Sequence, residues 1–600
     1  MTMTGTGSSI RAKGILAIGL LALAPLLPAQ GKDDIVLHAM KDEMARSMNQ
    51  LQLQQMDKPY FLAYRTDDVT RKEITATLGS LTSTSGDPYR NRVISVELRV
   101  GDYSLDNSNF FSMQRFRSGP AMFLGGMEQG ALDDDYGQIR REFWLVTDRQ
   151  YKKALEDLSA KKAALKMRNG GEAIPDFSKE PAITVLERAP GATINSGELE
   201  ALARSLSAVF RSTPEIERSA VDITYRSVYT RYVNSEGTAY TRSVPVIKLE
   251  VTARTQAENG LPISDSFSVY GRRAEDLPSR ETLLARAQGM AEGIVKLRSA
   301  SSLDRYNGPV LFEGAAAGEL FVDQFAARLA ASRTPMSDNP QFEAFFNQML
   351  ERLGGASLQD RMGARVLPAF VSLRDDPAQA SFGGSILMGT SGIDDDGVKT
   401  RETLIIDHGI LKNLLTSRVP ARGFLESSGS RHGWGAVPSN LFLSSEKSLA
   451  ANDLKKELLR LAKERGLDYG IVVRHVGGGS ESSFMEMARQ MAQQGSSESI
   501  AEVYKVYADG HEEPLRGIHI AALPAESFKE IVATGDTPAV YSDELIPGMS
   551  TLFGGGAFPG NDLPVVSCVT PSLLFEEVSL AKVDGPFPVL PVSKSPLAEK

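Results

Sequence analysis

A single cysteine, Cys568, stands in a chain of 600 residues. An intramolecular disulfide is therefore impossible, and metal sites built from paired C-x-x-C cysteines are excluded. No cysteine lies near the N-terminus to carry a lipid anchor. Histidine is scarce too. The six are His38, His408, His432, His475, His511 and His519, and no two lie within five positions of each other. Local spacing thus offers no helix with two imidazoles one turn apart, although ligands from distant positions can still converge in space. The phosphate loop G-x-x-x-x-G-K-[ST], the nucleophile elbow G-x-S-x-G and the zinc motif H-E-x-x-H are all missing. There is no Lys/Arg run, and the formal charge is −9. Nucleic-acid affinity rests mostly on basic side chains against phosphates, so the composition gives no reason to expect that partner. No repeat of fixed period is evident.

What is present is ordinary for a globular protein: 42% apolar and 24% charged residues. The length predicts several domains. At the N-terminus, Arg11 and Lys13 precede an apolar run from Ile15 to Leu27, and small residues follow up to Ala29. This is the layout of a secretory signal peptide over 1–29. The run is too short to span a bilayer, and no later segment approaches that length without charges. Cleavage after Ala29 removes two positive charges and takes the net charge from −9 to −11. The expected destination is the periplasm or the cell exterior.

Periodicity predicts an α+β protein. Asp33-Asp34 is placed to cap a helix carrying Leu37, Met40, Met44 and Leu51, and the element is expected to stop by Pro59. The methionine stripe reads as core. Val96, Leu98 and Val100 alternate with Glu97 and Arg99, the pattern of a half-buried strand. Leu155–Lys166 reads as a charged surface helix. Val221, Ile223 and Tyr225, then Tyr229, Arg231 and Val233, lead to a turn at Asn234–Gly237. Ile247, Leu249 and Val251 return from it. These are antiparallel hairpins with polar outer faces. A helix over Ser279–Leu297, with Ser279 as cap, presents Leu283, Ala287, Met290, Ile294 and Leu297 on one stripe. The first domain is expected to span 30–301 and a β-rich second domain 302–600.

The second half opens with a strand, Pro309–Phe312, and a small-residue turn, Gly314–Gly318. A helix bearing Phe321, Phe325 and Leu329 follows, then a helix over Gln341–Leu353. Strand-turn-strand patterns dominate from Phe382, with hairpin turns at Asp394–Gly397 and Asp407–Gly409. One helix, Asp453–Arg465, interrupts them and stops at Gly466. Met485–Ser499 reads as an insertion and the Pro-rich tail as extended chain.

Three constellations invite chemistry. Asp394–Asp396 offers oxygens to a hard cation, but turn chemistry favours a solvated hairpin turn. His511-Glu512-Glu513 offers metal ligands, but its position after Asp509-Gly510 favours an exposed turn. Gly477-Gly478-Gly479 and Gly554-Gly555-Gly556 suit either an anion cradled by backbone N–H groups or the close approach of a second backbone, and both readings stand open.

The order of several motifs then forms a pattern. The stretch SFGGSILMGTSGIDDDGVKTRETLIIDHGILKNLLTSR resembles the TldD/PmbA family, with Asp396, Gly397, Leu404, Ile405, Gly409, Leu411 and Leu415 at the family's positions. SSGSRHGWGAVPSNLFL is similar to the family's Gly/Arg-rich loop, although Pro438 and Asn440 sit closer together than in the family. Gly477–Gly479 matches a glycine triplet. AEVYKVYADGHEEPLRGIHI resembles a strand pair through Glu502, Tyr504, Gly510, Pro514 and Gly517, and LPVVSCVTPSLLFEEVSL resembles the closing strands. The likeness covers most of 305–585.

This resemblance implies two α+β domains, with antiparallel sheets and packed helices, and a peptidase-type C-terminal domain. In catalytic members a helix carries His-Glu-x-x-x-His. Its histidines bind zinc with a distant cysteine, and its glutamate acts on a zinc-bound water. Here PVLFEGAAAGELFVDQFAARL takes that place. Val322 and Ala327 stand for the histidines, Asp323 for the glutamate, and the cysteine position falls in Gly554–Gly556. Cys568 falls on a later strand, as a small apolar residue. Neither Val nor Ala can donate to a metal, so the resemblance is to the zinc-less PmbA (TldE-like) branch. It implies a non-catalytic subunit of an exported proteolytic complex. No cofactor is expected in this chain, with zinc in a TldD-like paralogous partner and an extended peptide held near Gly477–Gly479 and Gly554–Gly556. Two alternatives stand beside it. One is an active peptidase whose metal site is relocated to groups such as His408, His432, His475 and Asp323. The other is a homomeric envelope scaffold or peptide-binding protein. The family is linked to DNA gyrase by name, a link that an acidic exported chain does not support physically.

Overall fold

The computed structural model describes residues 34–86, 88–111, 127–168, 174–189, 194–352, 357–433, 435–477, 500–545, 564–589, 591 and 593–598. The signal segment 1–29, the insertion at Met485–Ser499, Gly478, Gly479 and Gly554–Gly556 lie outside the described residues. The molecule is α+β.

Helix α1, Ile35–Gln50, begins where the Asp34 carboxylate accepts the Leu37 N–H at 3.0 Å. It ends well before Pro59, which instead opens a strand. Strands β1 (Pro59–Thr77), β2 (Tyr89–Val100), β3 (Arg218–Asn234), β4 (Ala239–Gln256) and β5 (Pro262–Gly271) form most of one antiparallel sheet. Its order runs β2-β1-β3-β4, and β5 pairs with the second half of β4. The β3–β4 turn closes as expected: Gly237 takes φ +100°, and Asn234 Oδ1 accepts the Glu236 and Thr238 N–H groups at 3.0 Å each.

Four helices cover one face of this sheet. Helices α1 and α2 (Tyr136–Met167) pack on Leu62, Tyr64, Ile94, Val96 and Leu98. Helices α3 (Ser196–Ser207) and α4 (Arg280–Leu297) pack on Ile74, Val221, Ile223, Leu249 and Val251. Helix α4 is capped by Ser279, as expected, and buries Leu283, Ala287, Met290, Ile294 and Leu297.

The opposite face is polar in sequence, which predicts contact with water. The structure differs. Arg65, Asp67, Glu97 and Arg99 are buried, so the β2 strand is covered on both faces rather than half-buried. The charges are neutralised in pairs: Arg99 Nε donates to Glu97 at 2.8 Å, Arg99 Nη1 to Asp106 at 2.9 Å, and Arg65 Nε to Asp67 at 2.9 Å. The segment expected as a surface helix is the end of α2, where Lys161 is buried and donates to the Ser108 carbonyl at 2.6 Å and to Asp176 at 2.5 Å. Alternation reports polarity, and here polarity is paired with polarity instead of with solvent.

The second half begins with β6 (Arg305–Phe312). The expected turn at Gly314–Gly318 is already helical: α5 runs Ala315–Gln324 and continues as a tight turn, Ala326–Leu329. Its small residues explain the error, because they read as a loop but serve close packing. A Cβ on Gly318 would meet Tyr541 Cβ at 2.7 Å. After α6 (Pro340–Arg352) come β7 (Val371–Asp375), β8 (Thr403–Asp407), β9 (Asn440–Ser445), α7 (Ala451–Glu464), β10 (Tyr469–His475), β11 (Glu502–Tyr507), β12 (Glu512–Leu515), β13 (Ile531–Gly535), β14 (Ala539–Glu544), β15 (Val565–Thr570) and β16 (Leu573–Lys582). One sheet has the order β13-β16-β6-β10-β11-β12 and a second β8-β7-β9-β15-β14, each with short strands besides. The main core lies between them and includes α5. Helix α7 covers the outer face of the β13-β16-β6-β10-β11-β12 sheet with Leu454 and Leu458. It ends where Gly466 takes φ +73°. The tail beyond β16 returns to the first half. Phe587 packs near the α3/α4 core, and Gln256 Nε2 donates to the Pro588 carbonyl at 3.1 Å.

Candidate functional site

Helix α5 carries Val322 and Asp323, and the tight turn after it carries Ala327, the three positions the sequence resemblance singles out. It starts after Gly314, whose φ of +54° turns the chain out of β6, and Gly314 N–H donates to Ser572 Oγ at 2.9 Å. Ala316, Ala317, Leu320 and Phe321 bury one side, and Phe321, Phe325 and Phe528 cluster beneath. Val322 is also buried, and Ala327 packs against the same core. Asp323 accepts a hydrogen bond from Gln324 Nε2 at 2.5 Å. Surrounding protein and the charge of Asp543 raise its carboxyl above the usual range, although Gln324 favours the charged form.

Strand β14 flanks this helix. Tyr541 and Asp543 share one of its faces, and the Tyr541 and Tyr270 hydroxyls donate to Asp543 at 2.9 and 2.8 Å. Two carboxylates and a histidine meet one turn back along α5. His475 Nδ1 lies 2.8 Å from Asp265, and its Nε2 lies 3.4 Å from Glu319. The second oxygen of Glu319 accepts the Val476 N–H at 2.7 Å. Desolvation opposes the charge on His475, but the hydrogen bond to Asp265 and the nearby carboxylates prevail and raise its pKa to about 9.

The zinc that the resemblance implies elsewhere in the family does not fit here. Val322 and Ala327 present no lone pair, and among the described residues no group of three or more His, Cys, Asp or Glu is arranged to hold a metal ion. Cys568 is buried on β15 with its thiol pushed up to about 12, so it is no thiolate ligand. The four groups named for a relocated site lie apart, each with its own partners. His408 is an exposed hairpin tip between Asp407 (2.7 Å) and Glu446 (3.1 Å). His432 stands beside Asp395, held down to about 4 by desolvation. His475 and Asp323 are as described. His511 stacks on Tyr507, while Glu512 pairs with Lys455 and Arg474 and Glu513 with Lys505, so that cluster is ion-paired surface.

The aspartate triplet is not the solvated turn expected from its chemistry. Asp394, Asp395 and Asp396 are all buried. They plug into the polar face of the first sheet. Asp395 pairs with Arg65 of β1 (3.3 Å) and Arg242 of β4, and accepts the Gly433 N–H at 2.7 Å. Those guanidinium groups hold its carboxyl far below the usual range against the desolvation cost. Asp396 accepts Arg431 Nη1 at 2.8 Å and the Arg418 N–H at 3.2 Å, and Arg418 Nη1 donates to Glu236 at 2.6 Å. Asp394 accepts the backbone N–H groups of Asp396, Val398 and Arg431, yet burial and the charge on Asp396 push its carboxyl well up. Every carboxylate oxygen is engaged by protein donors, which leaves this triplet a docking device and not a cation site.

Among the glycines singled out, Gly477 has φ +74°, and a Cβ there would meet Ala501 Cβ at 2.7 Å, so the chain itself uses the bare backbone. Sequence patterns gave no sign of Glu319, Asp265, Tyr270, Tyr541 and Asp543. They come from three distant stretches, and no spacing signal joins them.

Residues 306–582 match the family profile described as PmbA/TldA metallopeptidase C-terminal domain. Comparison with curated proteins finds no match. Solved structures share the fold, among them the following three. A protein of Thermotoga maritima described as a candidate modulator of a DNA gyrase aligns at 16% identity and TM-score 0.54, over 87% of this chain and 96% of its own. TldE from Thermococcus kodakarensis aligns at 12% and 0.50, over 90% and 100%. A candidate modulator of DNA gyrase from Bacteroides thetaiotaomicron aligns at 11% and 0.53, over 92% and 98%.

Proposed function

Because this chain belongs to the TldD/PmbA family through residues 306–582, we propose that it is a metallopeptidase relative without a peptidase site of its own, the supporting subunit of an exported peptide-processing complex. One observation carries the reading. On helix α5 and the tight turn after it, the resemblance aligns Val322 and Ala327 with the family's metal-binding histidines, and both side chains pack into the core. Asp323 keeps a carboxylate with no metal-bound water to act on.

The partner in this reading is a zinc-bearing TldD-like paralogue. This chain would shape a shared chamber and hold an extended peptide. Strand β14 suits peptide capture. Among the described residues it pairs only with β15, and the other edge, beside α5, is where we place strand addition. Of the proposed glycine contacts, Gly477 is taken up by the chain's own Ala501, and Gly478, Gly479 and Gly554–Gly556 remain.

Elemental analysis of the purified mature chain tests the idea. We expect no stoichiometric zinc in the chain alone, and zinc with peptidase activity only after co-purification with a zinc-motif paralogue. Near-stoichiometric zinc in the chain alone overturns it. Symmetric self-association with no zinc-bearing partner favours a homomeric scaffold instead. Export is checked by mass spectrometry of the mature N-terminus, expected at Gln30.

A further inference from the structure

We propose that His475 is a latch between the two halves of the molecule: as an imidazolium it clamps Asp265 of the first sheet to Glu319 of helix α5, so one imidazole charge governs how firmly α5 is held against β5. The latch positions the site named above, and it operates whether or not that site binds peptide.

The geometry is specific. Nδ1 and Nε2 of one ring face carboxylates from different halves, at 2.8 and 3.4 Å. Glu319 is tied on its other oxygen to the Val476 backbone, so the clamp also fixes the exit of β10. The ring is 18% exposed, with Asp265 at 7% and Glu319 at 11%. Bulk water screens such a cluster poorly, yet protons can reach it.

The charge count makes the imidazolium necessary. Asp265 comes from β5, Glu319 from α5 and Glu502 from β11. Facing them are His475 and, from α4, Arg286, which stacks over Phe267 at 4.3 Å. Arg474, next to His475 on β10, is already engaged by Glu313 at 3.0 Å and Glu512 at 2.7 Å. Three carboxylates thus share two cations. Loss of the His475 proton leaves Asp265 and Glu319 facing Arg286, with Arg474 acting, of the three, only on Glu502, and a neutral ring can donate from only one nitrogen. A neutral ring can keep the Nδ1 hydrogen bond to Asp265 but loses its ion pair with Glu319, and repulsion drives β5 and α5 apart. The direction agrees with the raised pKa, about 9, of this histidine. Below that pH the latch is closed; above it the latch opens.

The test uses the full-length chain. Hydrogen exchange in Pro262–Gly271 and Ala315–Gln324, corrected for the intrinsic effect of pH, is compared for wild type, His475→Gln and His475→Arg. Wild type is expected to be protected at pH 7 and to lose protection by at least about tenfold once pH passes about 9. His475→Gln should show the open pattern already at pH 7. His475→Arg, cationic throughout, should stay protected at both. A His475→Gln chain as protected as wild type, or a His475→Arg chain that opens with wild type at high pH, overturns the latch. If His475→Gln does not fold, the comparison of wild type with His475→Arg decides alone. None of these readouts involves metal or peptide, so failure here leaves the proposed function standing, and the converse holds.

Discussion

Asp395 sits between two guanidinium groups that belong to another part of the chain, and its removal would strand Arg242 and leave Arg65 with Asp67 alone in a dry interface. Asp395→Asn is therefore expected to cost about 3–5 kcal/mol in urea unfolding. Loss of the exposed Lys456–Asp453 pair should not move the same curve measurably. Two histidines titrate in opposite senses. The His475 pKa is raised in the folded chain from 6.5 to about 9, so its stabilisation is complete below pH 6.5 and disappears as pH rises through about 9. The His432 pKa is lowered to about 4 by desolvation, so the unfolded chain takes up its proton first and stability falls as pH drops from 6.5 towards 4. Thermal melts across pH 4–10 should show both losses. His475→Arg should remove the alkaline loss, and His432→Gln the acid one. At this scale the sequence is a poor guide. Glu97, Arg99 and Asp394–Asp396 look like surface because they are charged; the Glu97–Arg99 pair is local, but nothing within the aspartate triplet's own segment reveals Arg65 and Arg242, which meet it. That Val322 and Ala327 can offer no lone pair to a metal is legible, because it depends on those side chains alone.

Elements whose determinants are local are read well. Helix α4 has its cap, its stripe and its stop within one stretch, and the β3–β4 hairpin has alternation on both sides of an Asn-Gly turn. Helix α7 is equally local. Its Leu458 is fully buried and rests on Gly470, where a Cβ would meet Leu458 Cγ at 2.5 Å. Leu458→Ala should cost about 2–5 kcal/mol, the range for an aliphatic core truncation. Gly470→Ala should destabilise by overpacking the same contact. Both are checked by denaturant midpoints at constant m-value. Helix α5 is misjudged at its start because Ala315–Gly318 has no side chain large enough to register in a periodic pattern. The information sits in the partner strand, where Tyr541 needs Gly318 to be bare.

For the whole molecule, the two halves share more than a linker. The first sheet keeps its apolar face for its own helices and lends its polar face to the second half through Arg65, Arg242 and Glu236. Sequence alternation predicts two faces of different character correctly and cannot say that the polar one is an interface. A second tie is the tail. Gly260, at φ +81°, lies against it so closely that a Cβ would meet the Phe587 carbonyl oxygen at 2.6 Å. Gly260→Ala should therefore lift the tail, and Phe587→Ala should cost about 1–2 kcal/mol through lost apolar burial. Limited proteolysis after residue 582 reads the first, and a urea melt the second.

That tail sets a timetable. Gln256 and Pro588, which it brings into hydrogen-bond contact, are 332 positions apart in the chain. At about 5–20 residues per second, the ribosome needs roughly a quarter of a minute to a minute to make the second after the first. Throughout that interval the β4–β5 turn has been synthesised but the aromatic ring that covers it has not. A nascent chain paused before residue 583 therefore leaves the part of the first-half core that Val583 and Phe587 cover without its cover.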